Sequence, residues 1–205
     1  MDYTLPYLLS LGFLVGLSGA MLPGPLLVYT INESLHRGRR AGPLIIAGHV
    51  IVEVILISLI ALGVAQFMES ELFIKATSLL GGMVLAGMGV HLWRSGGGLD
   101  DDSGFHGNII LGGVLFSAFN PGFPIWWATA GARMLVEGFS QAGLTGVAVI
   151  VAGHWMADVG YFSIVSAAVD KGRDKLLTEN FVAGFRRILA VTLIVIGMYF
   201  LHSVF

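Results

Sequence analysis

The sequence predicts an all-α polytopic membrane protein of six transmembrane helices, and three observations carry that expectation. The 205 residues are 56% hydrophobic, with a mean hydropathy of +0.84. Charged residues make up 12% of the chain, about half of the roughly 25% usual in soluble domains. Six apolar segments reach the length of about 20 residues that a bilayer core demands. So much apolar surface cannot be hidden in one aqueous core. The formal net charge of −2 excludes little, whereas the absence of cysteine excludes a disulfide framework, thiol redox chemistry and thiolate metal sites.

Span 1, Leu5–Ile31, is about 40 Å long at 1.5 Å per residue. Pro23-Gly24-Pro25 interrupts it. Each proline removes a backbone donor and frees a carbonyl one turn earlier. Lipid offers such a carbonyl no partner, so the break should face protein or a water-filled cavity. No Lys or Arg precedes Arg37, so the segment does not read as a signal peptide. Span 2, Leu44–Phe67, carries GHVIVEV, with His49 and Glu53. Span 3 is Leu72–Trp93, and the polar run RSGGGLDDDSGFHG at 94–107 reads as a flexible connector. Span 4, Asn108–Ala130, is interrupted at Asn120-Pro121-Gly122 and again at Pro124. Span 5, Gln141–Val169, carries GHWMADV, with His154 and Asp158, and span 6 is Phe181–Val204. There is no room for a soluble domain, so residues 1–205 form one transmembrane unit.

The chain repeats itself. The proline motifs of spans 1 and 4 lie 98 residues apart (Pro23 and Pro121), and the histidines of spans 2 and 5 lie 105 apart (His49 and His154). A weaker Gly-Met match in spans 3 and 6 is 110 apart (Gly87 and Gly197). The order is kept, which predicts two repeats, approximately 5–93 and 108–205. Three spans is an odd number, so the second copy enters from the opposite face. Such 3+3 inverted repeats recur in secondary transporters, whose substrate sites lie at the repeat interface and are built from broken helices. A helix restarting after a break points N–H groups into the cavity, which suits an anionic group. The substrate-contact candidates are therefore Pro23, Gly24, Pro25, Asn120, Pro121 and Gly122, with Trp127 after the second break. Trp126-Trp127 equally suit interfacial anchoring.

Nine Lys and Arg fall on one face: Arg37, Arg39, Arg40, Arg94, Lys171, Arg173, Lys175, Arg186 and Arg187. Only Lys75 and Arg133 fall on the other. The positive-inside rule then makes the first face cytoplasmic and both termini extracytoplasmic. Gly12, Gly16 and Ala20 form a small-residue stripe that close helix packing explains.

The i,i+4 spacing sets His49 beside Glu53 and His154 beside Asp158 on one helix face each. An ionised carboxylate at such depth costs about 2.5–3.5 kcal/mol on the insertion scale. Both pairs are candidates for a coupling or proton-relay element, since histidine titrates near neutral pH. Three other readings compete. The four side chains could bind a divalent cation such as Zn, Mn or Ni as cargo. A bound metal could activate water in an intramembrane hydrolase. The pairs could simply fix helix packing, but interhelical polar bonds average only about 0.6 kcal/mol, a small return for two buried acids.

The chain resembles the LysE-type (lysine exporter, RhtB-like) translocator family over essentially its whole length. The resemblance rests on Pro23-Gly24-Pro25 with the small residues before it, the basic turn HRGRRAG at 36–42, Asn120-Pro121, and WWAT at 126–129. It implies six spans and export of amino acids or related small solutes, driven by proton motive force, across the cytoplasmic membrane. It also implies a carboxylate in spans 2 and 5, where Glu53 and Asp158 fit; the preceding histidines are not general to the family. The expectation is a transporter, not an enzyme, with no cofactor. Its partners are a small-molecule substrate and the lipid bilayer, a homo-oligomer is left open, and nucleic acid is not expected.

Overall fold

The computed structural model describes residues 4–22, 24–63, 70–94, 107–176 and 179–204. All regular structure among them is helical. Helix α1 (Thr4–Ala20) stops before the first proline motif, and α2 (Pro25–Arg37) restarts after it. Gly24 is the N-cap of α2 in extended backbone, and Pro25 opens the first turn, where its missing N–H costs nothing. A short turn at Gly38–Arg40 leads to α3 (Ala41–Ala61), and α4 (Glu71–Arg94) follows. Gly38 makes the corner with φ 66°, a conformation glycine adopts without steric cost.

The second half begins with α5 (Ile109–Ala118), capped by Asn108, whose side chain accepts from the N–H groups of Ile110 and Leu111. The chain breaks at residues 119–121. There Asn120 Oδ1 accepts from Gly122 N at 3.1 Å. Helix α6 (Gly122–Trp126) then widens into a five-residue π-helical turn, Trp127–Gly131, before α7 (Ala132–Leu176). Non-helical backbone at Ala142 and Gly143 divides α7 in two. Gly138 and Gly146 then face each other so closely that a Cβ on Gly146 would strike the Gly138 carbonyl. The chain therefore reverses here, and the stretch between spans 4 and 5 is helix rather than loop. Helix α8 (Glu179–His202) completes the fold.

Among the described residues, three helical stretches are long and apolar enough to cross a membrane: Pro25–Ala61, Glu71–Arg94 and Gly122–Gly172. Three shorter apolar helices accompany them, Thr4–Ala20, Ile109–Ala118 and Ala190–His202. Spans 1 and 4 of the sequence reading each enclose an interruption, so neither is a single rod.

The helices pack in pairs: α1 on α7, α3 on α5, and α4 on α8. Small residues allow the first two approaches. A Cβ on Gly12 would collide with the Ile150 carbonyl, and one on Gly48 with the Ile110 carbonyl. Backbones this close gain dispersion energy that lipid tails cannot match. The outside is as apolar as the inside: Leu62, Leu144 and Ile164 are 80%, 78% and 70% exposed. Such a surface fits hydrocarbon, not water.

Candidate functional site

Four buried ionisable side chains meet in the interior. His49, Glu53, His154 and Asp158 are all buried. Glu53 lies at their centre. Its Oε1 accepts from Trp127 Nε1 at 3.1 Å and stands 2.8 Å from His154 Nε2. Its Oε2 accepts from Trp155 Nε1 at 2.9 Å. His49 Nε2 lies 3.2 Å from the same Oε1. Indole can only donate, so both oxygens are held as acceptors.

The hydrogen-bond pattern assigns the protons. Ser117 Oγ donates its single hydrogen to Gly113 O at 2.7 Å. It therefore accepts from His49 Nδ1, also at 2.7 Å. With Nδ1 protonated, His49 Nε2 faces Glu53 Oε1 across 3.2 Å. A bare lone pair there would repel a carboxylate, so one proton sits between the two groups. His49 and Glu53 together then carry no net charge. His154 Nδ1 has no hydrogen-bond partner and faces Gly16, where a Cβ would strike it. A buried orphan N–H would cost about 1–3 kcal/mol, so that nitrogen carries the lone pair. His154 Nε2–H is directed at Glu53.

Asp158 is left over. Its Oδ2 lies 3.2 Å from His154 Nε2 and 4.0 Å from His49 Nε2. It takes no hydrogen bond, because the His154 N–H is aimed at Glu53. Asp158 Oδ2 is thus left, among the described residues, as a buried acceptor with no hydrogen bond, on a side chain only 2% exposed.

A cavity of about 290 Å³ lies against this cluster. Its wall includes His49, Glu53, His154 and Asp158, and both helix breaks, through Gly24, Pro25, Asn120 and Gly122. Trp127 also lines it, fully buried and engaged with Glu53. Pro121 does not line it; it lies instead at Gly81 of α4. Pro23 falls outside the described residues. Trp126 stacks on the His154 ring at 5.2 Å and 24°, and Phe123 meets the His49 ring edge-on at 5.1 Å. Trp127 is thus an interior residue, and the partly buried Trp126 lines the same cavity.

A family model for the LysE type translocator matches residues 17–204. The chain belongs to that family. This translocator is therefore a multi-pass membrane protein of a transporter family, moving amino acids or related solutes. No curated protein and no solved structure matches it significantly.

Two of the translocator's site residues escape sequence reasoning. A serine in an apolar helix ordinarily bonds its own i−4 carbonyl, as Ser117 does, so nothing marked it as the anchor of His49. Trp155 stands next to His154, about 100° around the helix, so the i,i+4 pattern passed over it. One signal was available: the span 5 motif reads GHW where the span 2 motif reads GHV.

Proposed function

We propose that the protein is a proton-coupled exporter of amino acids or related small solutes in the cytoplasmic membrane. One transporter domain is built from a 3+3 inverted repeat, with repeats at approximately 5–93 and 108–205. The helix pairing supports the repeat: exchanging spans 1, 2 and 3 with 4, 5 and 6 maps the α1–α7 contact onto the α3–α5 contact and returns α4–α8 to itself. The two motif glycines agree, since Gly48 packs on the span 4 backbone and Gly153 on that of span 1. The Lys and Arg distribution supports extracytoplasmic termini.

The observation that carries the function is that both helix breaks and the four-residue His–acid cluster line one cavity. Gly24, Pro25, Asn120 and Gly122 contact the substrate there, with Pro121 at the second break and Trp127 holding the wall. His49, Glu53, His154 and Asp158 handle the proton. A proton and a cationic group would compete for the Asp158 carboxylate. That competition is the elementary requirement for exchanging one against the other. The test is proton-driven transport of amino acids in proteoliposomes by the Glu53→Gln, Asp158→Asn double variant. Uncoupled or absent transport is expected; full wild-type coupling would overturn the reading.

A second reading rests on a specific observation. Ligand atoms of His49, Glu53 and Asp158 lie within 4.8 Å of one another, a grouping that suits a divalent cation as cargo. Against it, both Glu53 oxygens are already occupied by N–H donors. Zinc-driven thermal stabilisation lost in His49→Ala, with none from any amino acid, would favour the cation.

A further inference from the structure

The cavity wall is chemically one-sided. Among the described residues that line it there is no Lys and no Arg. Its acidic members are Glu53 and Asp158. Glu53 is neutralised by the proton it shares with His49, and N–H donors occupy both of its oxygens. Asp158 Oδ2 is buried with no hydrogen bond. A buried acceptor left so is costly, and a ligand that donates to this carboxylate relieves the cost. The remainder of the wall is mostly carbon: Leu26, Phe123, Trp126, Phe162, Ile196 and Phe200 all contribute. Aromatic faces also attract a cation held near them. A cavity of about 290 Å³ sits at the small end of ligand pockets, which suits a solute of single-residue size rather than a peptide.

Resting on the exporter reading, we propose that the Asp158 carboxylate seats the ammonium group of the substrate and that the apolar and aromatic wall selects an apolar or aromatic body. A second charge on the substrate's side chain finds no counter-ion in this wall. A hydroxyl or amide side chain finds few partners beyond Asn120. Lysine, glutamate and serine are therefore poor ligands, and leucine and phenylalanine are good ones. The carboxylate of such a ligand lies toward the α2 N-terminus, but the ammonium decides binding.

The experiment measures binding to purified protein in detergent by isothermal calorimetry. The probes are phenylalanine, leucine, serine, lysine, glutamate and 3-phenylpropionate, which is phenylalanine without its amine. Phenylalanine and leucine should bind at least tenfold more tightly than serine, lysine or glutamate. 3-Phenylpropionate should show at least a tenfold loss against phenylalanine. Asp158→Asn should lose phenylalanine binding tenfold or more. Tyr199→Ser lies at the cavity's exposed edge, 68% accessible, and should fold normally. It should narrow the preference for phenylalanine over serine severalfold. Equal affinity for phenylalanine and 3-phenylpropionate would overturn the ammonium seat. Tighter binding of serine or lysine would overturn the apolar selection. Proton-driven counterflow separates this from the exporter reading. Transport of polar but not apolar amino acids would sink the present proposal alone. The expected binding without any proton-driven flux would support the seat and sink the exporter.

Discussion

Replacing Trp155 with phenylalanine removes one hydrogen bond and little else. The indole N–H donates to Glu53 Oε2 at 2.9 Å, and among the described residues that oxygen has no other donor given to it. Phenylalanine keeps a ring in the half-buried site but leaves a carboxylate oxygen unsatisfied inside the bundle. A hydrogen bond to a charged group is worth about 1.5–3 kcal/mol. For a chain of this length 1 kcal/mol moves Tm by roughly 2–4 °C, so a fall of roughly 3–12 °C is expected. The assay is thermal unfolding in detergent of four proteins: wild type, Trp155→Phe, Glu53→Gln and the double variant. If the indole acts through the carboxylate, Trp155→Phe should destabilise much less in the Glu53→Gln background. The coupling should reach about 1 kcal/mol, within the range for residues in direct contact. Equal losses in both backgrounds would refute the reasoning and make Trp155 a packing residue. So would a single variant as stable as wild type.

Three further outcomes follow from the same geometry. Gly16→Ala should destabilise by about 1–3 kcal/mol and impair transport, because its Cβ meets the His154 ring; Gly87→Ala, with nothing within 4 Å, is the neutral comparison in the same unfolding assay. Ser117→Ala should cost about 1–3 kcal/mol by leaving His49 Nδ1–H without its acceptor, and Ser117→Thr should restore most of it, as read by denaturation. Gly143→Ala meets no atom within 4 Å, yet its φ of 57° is strained for any Cβ. A loss of about 1–3 kcal/mol with unchanged substrate affinity is expected, measured by unfolding and by ligand titration.

Much of the architecture was legible because the bilayer imposes it. Backbone groups in lipid must be satisfied within their own segment, so apolar runs of sufficient length can only be helices. Helix ends fall beside both proline motifs, at Ala20 and Pro25 and at Ala118 and Gly122. What escaped was where helix persists between spans: residues 131–140, with Arg133 and Glu137, fall between spans 4 and 5. They are helical because the turn comes later, at Ala142 and Gly143, and Gly138 and Gly146 let the two arms touch. Within the site, spacing along one helix was visible, and partners across helices were not. The sequence sets His154 beside Asp158, and the structure keeps them 3.2 Å apart. Yet the shorter contact of His154, 2.8 Å, runs to Glu53, 101 residues away in the chain.

The sequence by itself determined the membrane class, the helix breaks and the two faces on which His and acid stand together. These follow from local rules: hydropathy per length, proline stereochemistry, and 3.6 residues per turn. Only the tertiary structure decided which acid is satisfied and which is left bare. Two indoles and an imidazole converge on Glu53, and none of their hydrogens reaches Asp158 Oδ2. Hydrogen-bond direction depends on helix rotation and rotamer, set by how closely Gly12, Gly16, Gly48 and Gly153 let the backbones approach. No spacing along a single helix contains that information.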